Sequence, residues 1–374
     1  MTLCFFTAQY LPTPGGVERY TWNLARRCKA AGHRVLIVTS SLPGQPAREQ
    51  DADGLEIYRL PVFPVMGGRF PVLRPFAPAA DLWAQGIDFA VIQTRMYTQS
   101  IWAARQCKRR GIPALVIDHS TGYMMHGGLG GVLGRWYEHF ACGVIRRCGF
   151  PFYGVSRDVC TWLRTFGITA AGTLPNAVDP AELAALARAE DAVDWRKALD
   201  VPEGGHLIAF IGRLIPEKGA LRLAKAVQQL PGCVLAVAGT GPEEEALRAM
   251  DGTIHALGAL PHAQIVQLLD QADCYCLPTE YAEGFPTTLL EAAACRCPIL
   301  CTHTAGTGEL LPGDGCAAFV PDTRPETLRR ALETLLADPG DARTRADAAY
   351  RNLCGHFTWQ AVFATMMETA QKAT

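Results

Sequence analysis

Short apolar runs alternate along this chain with stretches in which apolar side chains recur every three or four positions. The first kind of pattern predicts buried strands and the second predicts helices with one face turned to a core. Residues 3–11 form an apolar run that Pro12-Thr13-Pro14-Gly15-Gly16 breaks. Val17, Tyr20, Leu24, Cys28 and Ala31 then follow at helical spacing, and Gly32 closes the helix. Strands are expected at 35–39, 55–61, 89–93, 114–117 and 152–155, with helices at 100–110, 134–147 and 158–166 and a short extended piece at 172–175. The proline-rich stretch 62–80 is expected to be irregular.

The same rhythm returns in the second half. Strands are expected at 207–211, 234–238, 254–257, 274–277, 298–301 and 318–320. Helices are expected at 220–230, from about 242 to 250, at 264–271, after residue 285, and through most of the chain from 325. Apolar strands alternating with helices predict α/β architecture, with parallel sheets covered on both faces. Two such series predict two doubly wound, Rossmann-like domains, 1–175 and 176–356, joined through Pro175-Asn176-Ala177-Val178-Asp179-Pro180.

Composition adds limits. No run approaches the length of roughly 20 apolar residues that a membrane span needs, and residues 1–11 read as a strand rather than a signal peptide, so a cytoplasmic protein is expected. The 14 cysteines lie within apolar runs and include no C-x-x-C pair, which points to buried, reduced thiols and to no metal site. The formal net charge of −1 hides an asymmetry. Residues 1–175 hold 19 Lys and Arg against 10 Asp and Glu, and the remainder holds 16 against 26. A basic first half suits an anionic membrane surface, with Phe70, Leu73 and Phe76 as apolar contacts; no nucleic-acid partner is expected.

In open parallel sheets, ligands bind beyond the carboxyl ends of the strands. The residues delivered there are Gly15 and Gly16 after the first strand, His119 after the strand at 114–117, Arg213 and Lys218 after 207–211, and Gly239 and Gly241 after 234–238. The strand at 274–277 delivers Glu283, Gly284, Phe285 and Pro286, with Glu291 further along the helix that follows. A Gly-Gly turn before a helix lets backbone N–H groups approach an anion. Arg213 and Lys218 can neutralise a diphosphate. Glu291 offers two acceptor oxygens to the paired hydroxyls of a ribose. Glu283 can meet a sugar or its developing positive charge, and His119 can hydrogen-bond a sugar or share a proton. Pro286 suits a first helical position. Taken singly, each of these residues is as well explained as a turn or a surface charge. No G-x-x-x-x-G-K-[ST] occurs, and Gly239-Thr240-Gly241 lacks the third glycine of a dinucleotide fingerprint.

In order along the chain, Gly212-Arg213, Lys218-Gly219, Gly239-Thr240-Gly241-Pro242 and Glu283-Gly284-Phe285-Pro286 through Glu291-Ala292 resemble the retaining nucleotide-sugar glycosyltransferases of family 4. Gly15-Gly16 with Glu18, Ser156, Pro175 to Asp179 and Phe357-Thr358-Trp359 extend the resemblance over essentially the whole chain. It implies a GT-B fold of two facing Rossmann-like domains: an acceptor-binding domain at 1–175, on which a last helix at 357–374 packs back, and a nucleotide-sugar-binding domain at 176–356. It further implies that Arg213 and Lys218 hold the diphosphate, Glu291 the ribose, and Glu283 with the Gly284-Phe285 backbone the donor sugar. Gly16 would lie against the phosphates and His119 would line the sugar site. Such enzymes usually need neither cofactor nor divalent metal. Cys295-Arg296-Cys297-Pro298 departs from the small residues the family usually places before that proline.

The expected activity is transfer of a sugar from a nucleoside diphosphate to a hydroxyl of a sugar or lipid-linked saccharide. Its expected setting is cell-surface polysaccharide or glycolipid synthesis, at the inner face of a membrane. A sugar-nucleotide epimerase of related fold and a non-catalytic nucleotide-sugar-binding protein are the alternatives. The missing fingerprint disfavours a dinucleotide-dependent oxidoreductase.

Overall fold

A computed structural model describes the chain apart from residues 14, 42, 67, 69, 76–78, 126, 251, 281–284, 304–305 and 374, and apart from the side chain of residue 129. The described residues divide into two compact units, Met1–Asn176 with Trp359–Thr374, and Ala177–Thr358.

The first unit is built on a sheet whose order is β10-β9-β8-β7-β1-β2-β4-β3. Its strands are β1 (Thr2–Phe6), β2 (Arg34–Ser40), β3 (Arg48–Gln50), β4 (Glu56–Leu60), β7 (Phe89–Gln93), β8 (Ala114–Asp118), β9 (Phe152–Gly154) and β10 (Gly172–Thr173). All pair in parallel except β3, which runs antiparallel to β4 at one edge. The parallel reading therefore holds for the body of the sheet and fails at that edge. Every side chain of β7 and β8 is buried, as a sheet covered on both faces requires. Helices α1 (Gly16–Ala30), α2 (Thr98–Arg110) and α3 (Gly128–Arg146) belong to this unit, as does the closing helix Trp359–Ala373. That last helix packs along α1, with Trp359 edge-on to Tyr20 at 5.3 Å.

Two differences from the sequence pattern have simple causes. The stretch expected to be irregular forms a separate antiparallel hairpin, β5 (Val62–Val65) with β6 (Phe70–Leu73). Pro64 sits opposite Pro71, a pairing tolerable in a two-stranded ribbon because neither imide is needed by a further strand. Helix α3 begins at Gly128 rather than near 134, since four glycines in its first two turns hide the helical period from a pattern of apolar spacing.

The second unit holds a parallel sheet of order β13-β12-β11-β14-β15-β16. Its strands are β11 (His206–Ile211), β12 (Cys233–Ala238), β13 (Ile254–Gly258), β14 (Cys274–Leu277), β15 (Ile299–Thr302) and β16 (Ala318–Val320). Helices α4 (His262–Gln271) and α5 (Thr287–Ala294) lie beside one another. An extra helix, Pro180–Ala187, escaped the sequence pattern; Asp179 caps it by accepting from the Ala181 and Glu182 N–H groups, and Pro180 opens it.

In both sheets the first strand of the unit has later strands on either side: β1 lies between β2 and β7, and β11 between β12 and β14. The chain therefore leaves the sheet in opposite directions at β1/β7 and at β11/β14. These are the topological switch points where doubly wound sheets open a crevice at their carboxyl ends.

Candidate active site

At the β11/β14 switch point the loop after β11 carries Arg213 and Lys218. Arg213 is exposed, whereas Lys218 is buried at the end of a single 3-10 turn, Pro216–Lys218. Burial, with the positive charge of Arg213 adding to it, lowers the Lys218 ammonium from 10.5 to about 8. Two cations are thus held close enough to repel, an arrangement that a polyanion would relieve. The neighbouring loop after β14 is tied to this one. The Glu280 N–H donates to Glu217 O at 2.7 Å, and Thr279 Oγ1 donates to the same carbonyl at 3.3 Å. Gly219 has φ +78°, and a Cβ there would lie 2.4 Å from Pro278 O, so only glycine lets the two loops meet.

Gly239 and Gly241 answer to the same constraint. They follow β12 and pair with the loop after β11 through Gly212 N–H to Ala238 O (3.0 Å) and Leu214 N–H to Thr240 O (2.9 Å). Both have positive φ, +144° and +156°, and a Cβ would fall 1.8 Å from Gly212 O and 2.5 Å from Leu214 O. Their glycine identity thus has a packing cause in the loop that presents Arg213. Gly239→Ala is expected to cost several kcal/mol, about 3 or more, because backbone rather than a yielding side chain blocks the new methyl. Urea unfolding measures this; a loss under about 1 kcal/mol would refute the packing account.

Glu291 lies in α5, with its side chain mostly buried, and His262 Nε2 is 3.0 Å from its Oε1. His262 opens α4 just beyond β13. Sequence reading missed it, although the rule that picked out Arg213, a polar residue just past a strand, would have found Pro261-His262. Pro286 is the residue before the first turn of α5, one position earlier than expected, and it is buried. Phe285 is buried against Phe357, with ring centroids 5.4 Å apart. Glu283 and Gly284 lie outside the described residues.

In the first unit, α1 follows the loop after β1. Gly15 has extended backbone (φ 178°), and nothing lies within 4 Å of where a Gly16 Cβ would stand, so neither position demands glycine for its conformation. What lies over Gly15 is Glu18, whose Oε2 would be 2.0 Å from a Gly15 Cβ. Glu18 is buried, and burial raises its pKa against the opposing effect of its own backbone N–H. The anion at this helix start is therefore the chain's own carboxylate.

His119 stands half-buried past the end of β8. Its Nε2 is 2.7 Å from Gln93 Oε1 at the end of β7, and its ring meets Tyr20 edge-on at 4.9 Å. Burial lowers it to about 4 despite the nearby Asp118 carboxylate, so the imidazole is neutral at physiological pH. That suits hydrogen bonding and argues against a role as a general acid. Beside it lies a buried ion cluster that sequence reading also missed. Arg95 Nη1 donates to both oxygens of Asp118 (2.7 and 2.8 Å) and to Ser120 Oγ (2.6 Å), while Nη2 donates to Glu138 (3.0 Å). Thr94, with φ +58°, turns the chain inward so that Arg95 enters the core instead of solvent.

The expected membrane contact at Phe70 is corrected: it is buried, with its ring against Tyr97 and Tyr137. Leu73 is partly buried, and Phe76 lies outside the described residues. No helix among the described residues is long and apolar enough to cross a membrane.

Comparison with known proteins agrees with this layout. The chain is 25% identical over 398 aligned residues to a glycogen synthase of Mycobacterium tuberculosis, spanning 97% of this chain and 92% of that one. Among solved structures it is similar to sucrose-phosphate synthase from Thermosynechococcus elongatus (TM-score 0.76, 18% identity, covering 99% and 98% of the two chains). It is also similar to HepE of Anabaena, solved in complex with UDP (TM-score 0.73, 17% identity, covering both chains fully). These likenesses establish the fold as GT-B. Residues 14–182 match the model for Glycosyltransferase Family 4, and residues 191–352 match the model for Glycosyl transferases group 1. With the two models following one another along nearly the whole chain, the protein belongs to the group 1, family 4 glycosyltransferases.

Proposed function

We propose that this glycosyltransferase moves a sugar from a nucleoside diphosphate to a hydroxyl of a sugar or lipid-linked saccharide with retention of anomeric configuration, in cell-surface polysaccharide or glycolipid synthesis. The observation that carries the donor assignment is the placement of two cations, Arg213 and Lys218, on the loop after β11 at the β11/β14 switch point. A diphosphate there gains from both cations and relieves their repulsion, and the same two charges stabilise it as the sugar bond breaks. This supports transfer without a divalent metal or other cofactor. The UDP bound to the structurally similar HepE agrees with a nucleoside diphosphate donor.

Glu291 takes the ribose hydroxyls in this reading, with His262 holding its carboxylate in place. Gly239 and Gly241 shape the loop that presents Arg213, while in the first unit Gly16 at the start of α1 is suited to an anion and the neutral His119 to a sugar hydroxyl. Glu283 and the Gly284–Phe285 backbone meet the donor sugar.

Thermal-shift titration with UDP-, GDP- and ADP-sugars identifies the donor, and NMR of the product gives its anomeric configuration. Glu291→Ala is expected to raise donor KM about tenfold or more, with a smaller effect on kcat, since the ribose contact is made in ground and transition states alike. An unchanged KM removes Glu291 from the ribose. An inverted product overturns retention. Isomerisation of the donor without an acceptor would favour the epimerase instead.

A further inference from the structure

Helix α3 exposes an apolar face that nothing among the described residues covers. Val132, Leu133, Trp136 and Phe140 are 64%, 68%, 69% and 53% exposed. Their spacing places them within an arc of roughly 100°, and the Trp136 and Phe140 rings stack nearly parallel, 5.9 Å apart. The opposite face is fixed to the core. Ala141, Cys142 and Ile145 are buried there, and Glu138 is held by Arg95 and by the Met124 N–H (2.8 Å). Tyr137 adds a hydrogen bond to Met96 O (2.9 Å). A rotation that hid the apolar face would pull Glu138 out of this cluster, so the exposure is built in.

The charge around this face has one sign. Between residues 128 and 147 the only acidic residue is Glu138, which points inward, whereas Arg135 and Arg147 are exposed. Arg147 stands about two helical turns beyond Phe140 on the same side of the helix. Helix α2 ends in the exposed run Lys108-Arg109-Arg110, and Lys108 donates to the Arg147 carbonyl, which brings that run against the end of α3.

We propose that α3 docks the first unit onto an anionic lipid surface, with Trp136, Phe140, Leu133 and Val132 entering the boundary between headgroups and acyl chains and the flanking cations meeting lipid phosphates. Aromatic and aliphatic side chains on one face, bordered by Arg and Lys without Asp or Glu, are what an interfacial helix needs. Arg135, Arg147 and the Lys108-Arg109-Arg110 run beside this face complement a negatively charged surface. The surface is distinct from the residues assigned to the donor, and docking needs neither donor nor acceptor.

Vesicle flotation of the purified full chain tests this. The protein is expected to float with phosphatidylcholine vesicles containing phosphatidylglycerol, and much less with phosphatidylcholine alone, with binding that falls as salt rises. Trp136→Ser with Phe140→Ser is expected to lower the vesicle-bound fraction at least tenfold. Arg135→Glu with Arg147→Glu is expected to remove the preference for phosphatidylglycerol. Unchanged circular dichroism and melting temperature in each double variant exclude misfolding. Absence of flotation overturns the proposal, as does flotation that neither double variant weakens. A wild-type dimer that Trp136→Ser converts to monomer, with no vesicle binding, would assign the face to a second copy of the chain. Since flotation uses no nucleotide sugar, its outcome stands apart from that of the donor assignment.

Discussion

Lys218→Met is expected to cut turnover by about a hundred- to a thousandfold while raising the melting temperature of the protein. The first effect follows from the role proposed for the ammonium, a preorganised charge facing the departing diphosphate; removing one such group commonly costs that much. The second follows from its burial. Lowering the ammonium from 10.5 to about 8 corresponds to about 3 kcal/mol against the charged form in the folded protein. Methionine keeps most of the apolar stem and removes the charge. Some of the gain is lost with the contacts Lys218 makes, so a net stabilisation of about 1–2 kcal/mol is expected, or roughly 2–6 °C.

The sign with pH provides a check. Between about 8 and 10.5 the unfolded chain binds more protons at this position than the folded one, so the contribution of Lys218 to wild-type stability rises across that window. The gap between variant and wild type should therefore narrow as pH rises from 7 to 10. Donor affinity should move the other way, falling as pH passes about 8 and the ammonium loses its proton. Calorimetric melts at several pH values, with donor titrations alongside, measure both. Near-normal turnover removes Lys218 from the chemistry, and a large drop in melting temperature refutes the account of its burial.

The α/β class and most of the strands could be read from the chain because each buried parallel strand is an apolar run, bounded by the polar or glycine-containing loop that forms one end of the sheet. Strand ends were also the reason Arg213, Lys218 and His119 stood out. Other features had no local signature. The β5–β6 hairpin pairs residues around prolines, which a one-dimensional pattern takes as breakers. Gly239 stands at a strand end where ligands bind, and its lack of a side chain is explained by Gly212 O, a neighbour 27 residues earlier. His262 acquires meaning only beside Glu291, and Phe70 only beside Tyr97 and Tyr137. The exposed face of α3 was hidden for a different reason. An amphipathic pattern tells that a helix has an apolar stripe without telling whether the core takes it, and here the core takes the other side.

Arg95→Met is expected to destabilise the protein by about 3–5 kcal/mol, although a sequence pattern would pass it as a hydrophobic gain after a strand. The guanidinium and both carboxylates it holds are essentially without solvent access. Burial by itself would push the Asp118 carboxyl up, but Arg95 and Ser120 outweigh it and hold the pKa below 3.8. Burial dominates at Glu138 and raises it, with the Met124 N–H and Arg95 only partly offsetting. Methionine would fill much of the volume and keep contact with Phe166, over whose ring the guanidinium now lies at 4.4 Å. It would leave two buried carboxylates facing one another without a cation. Both pKa values would then lie above those of the unfolded chain, so the folded variant would bind more protons and its stability would fall with rising pH. The variant should thus be more stable at pH 5 than at pH 7. Neutralising the whole cluster, Arg95→Met with Asp118→Asn and Glu138→Gln, should recover much of the loss, since the cost lies in uncompensated charge more than in the missing pair. Urea unfolding at the two pH values decides the matter. A single variant within about 1 kcal/mol of wild type, or a triple variant no better than the single, would show that this cluster contributes through packing and not through charge.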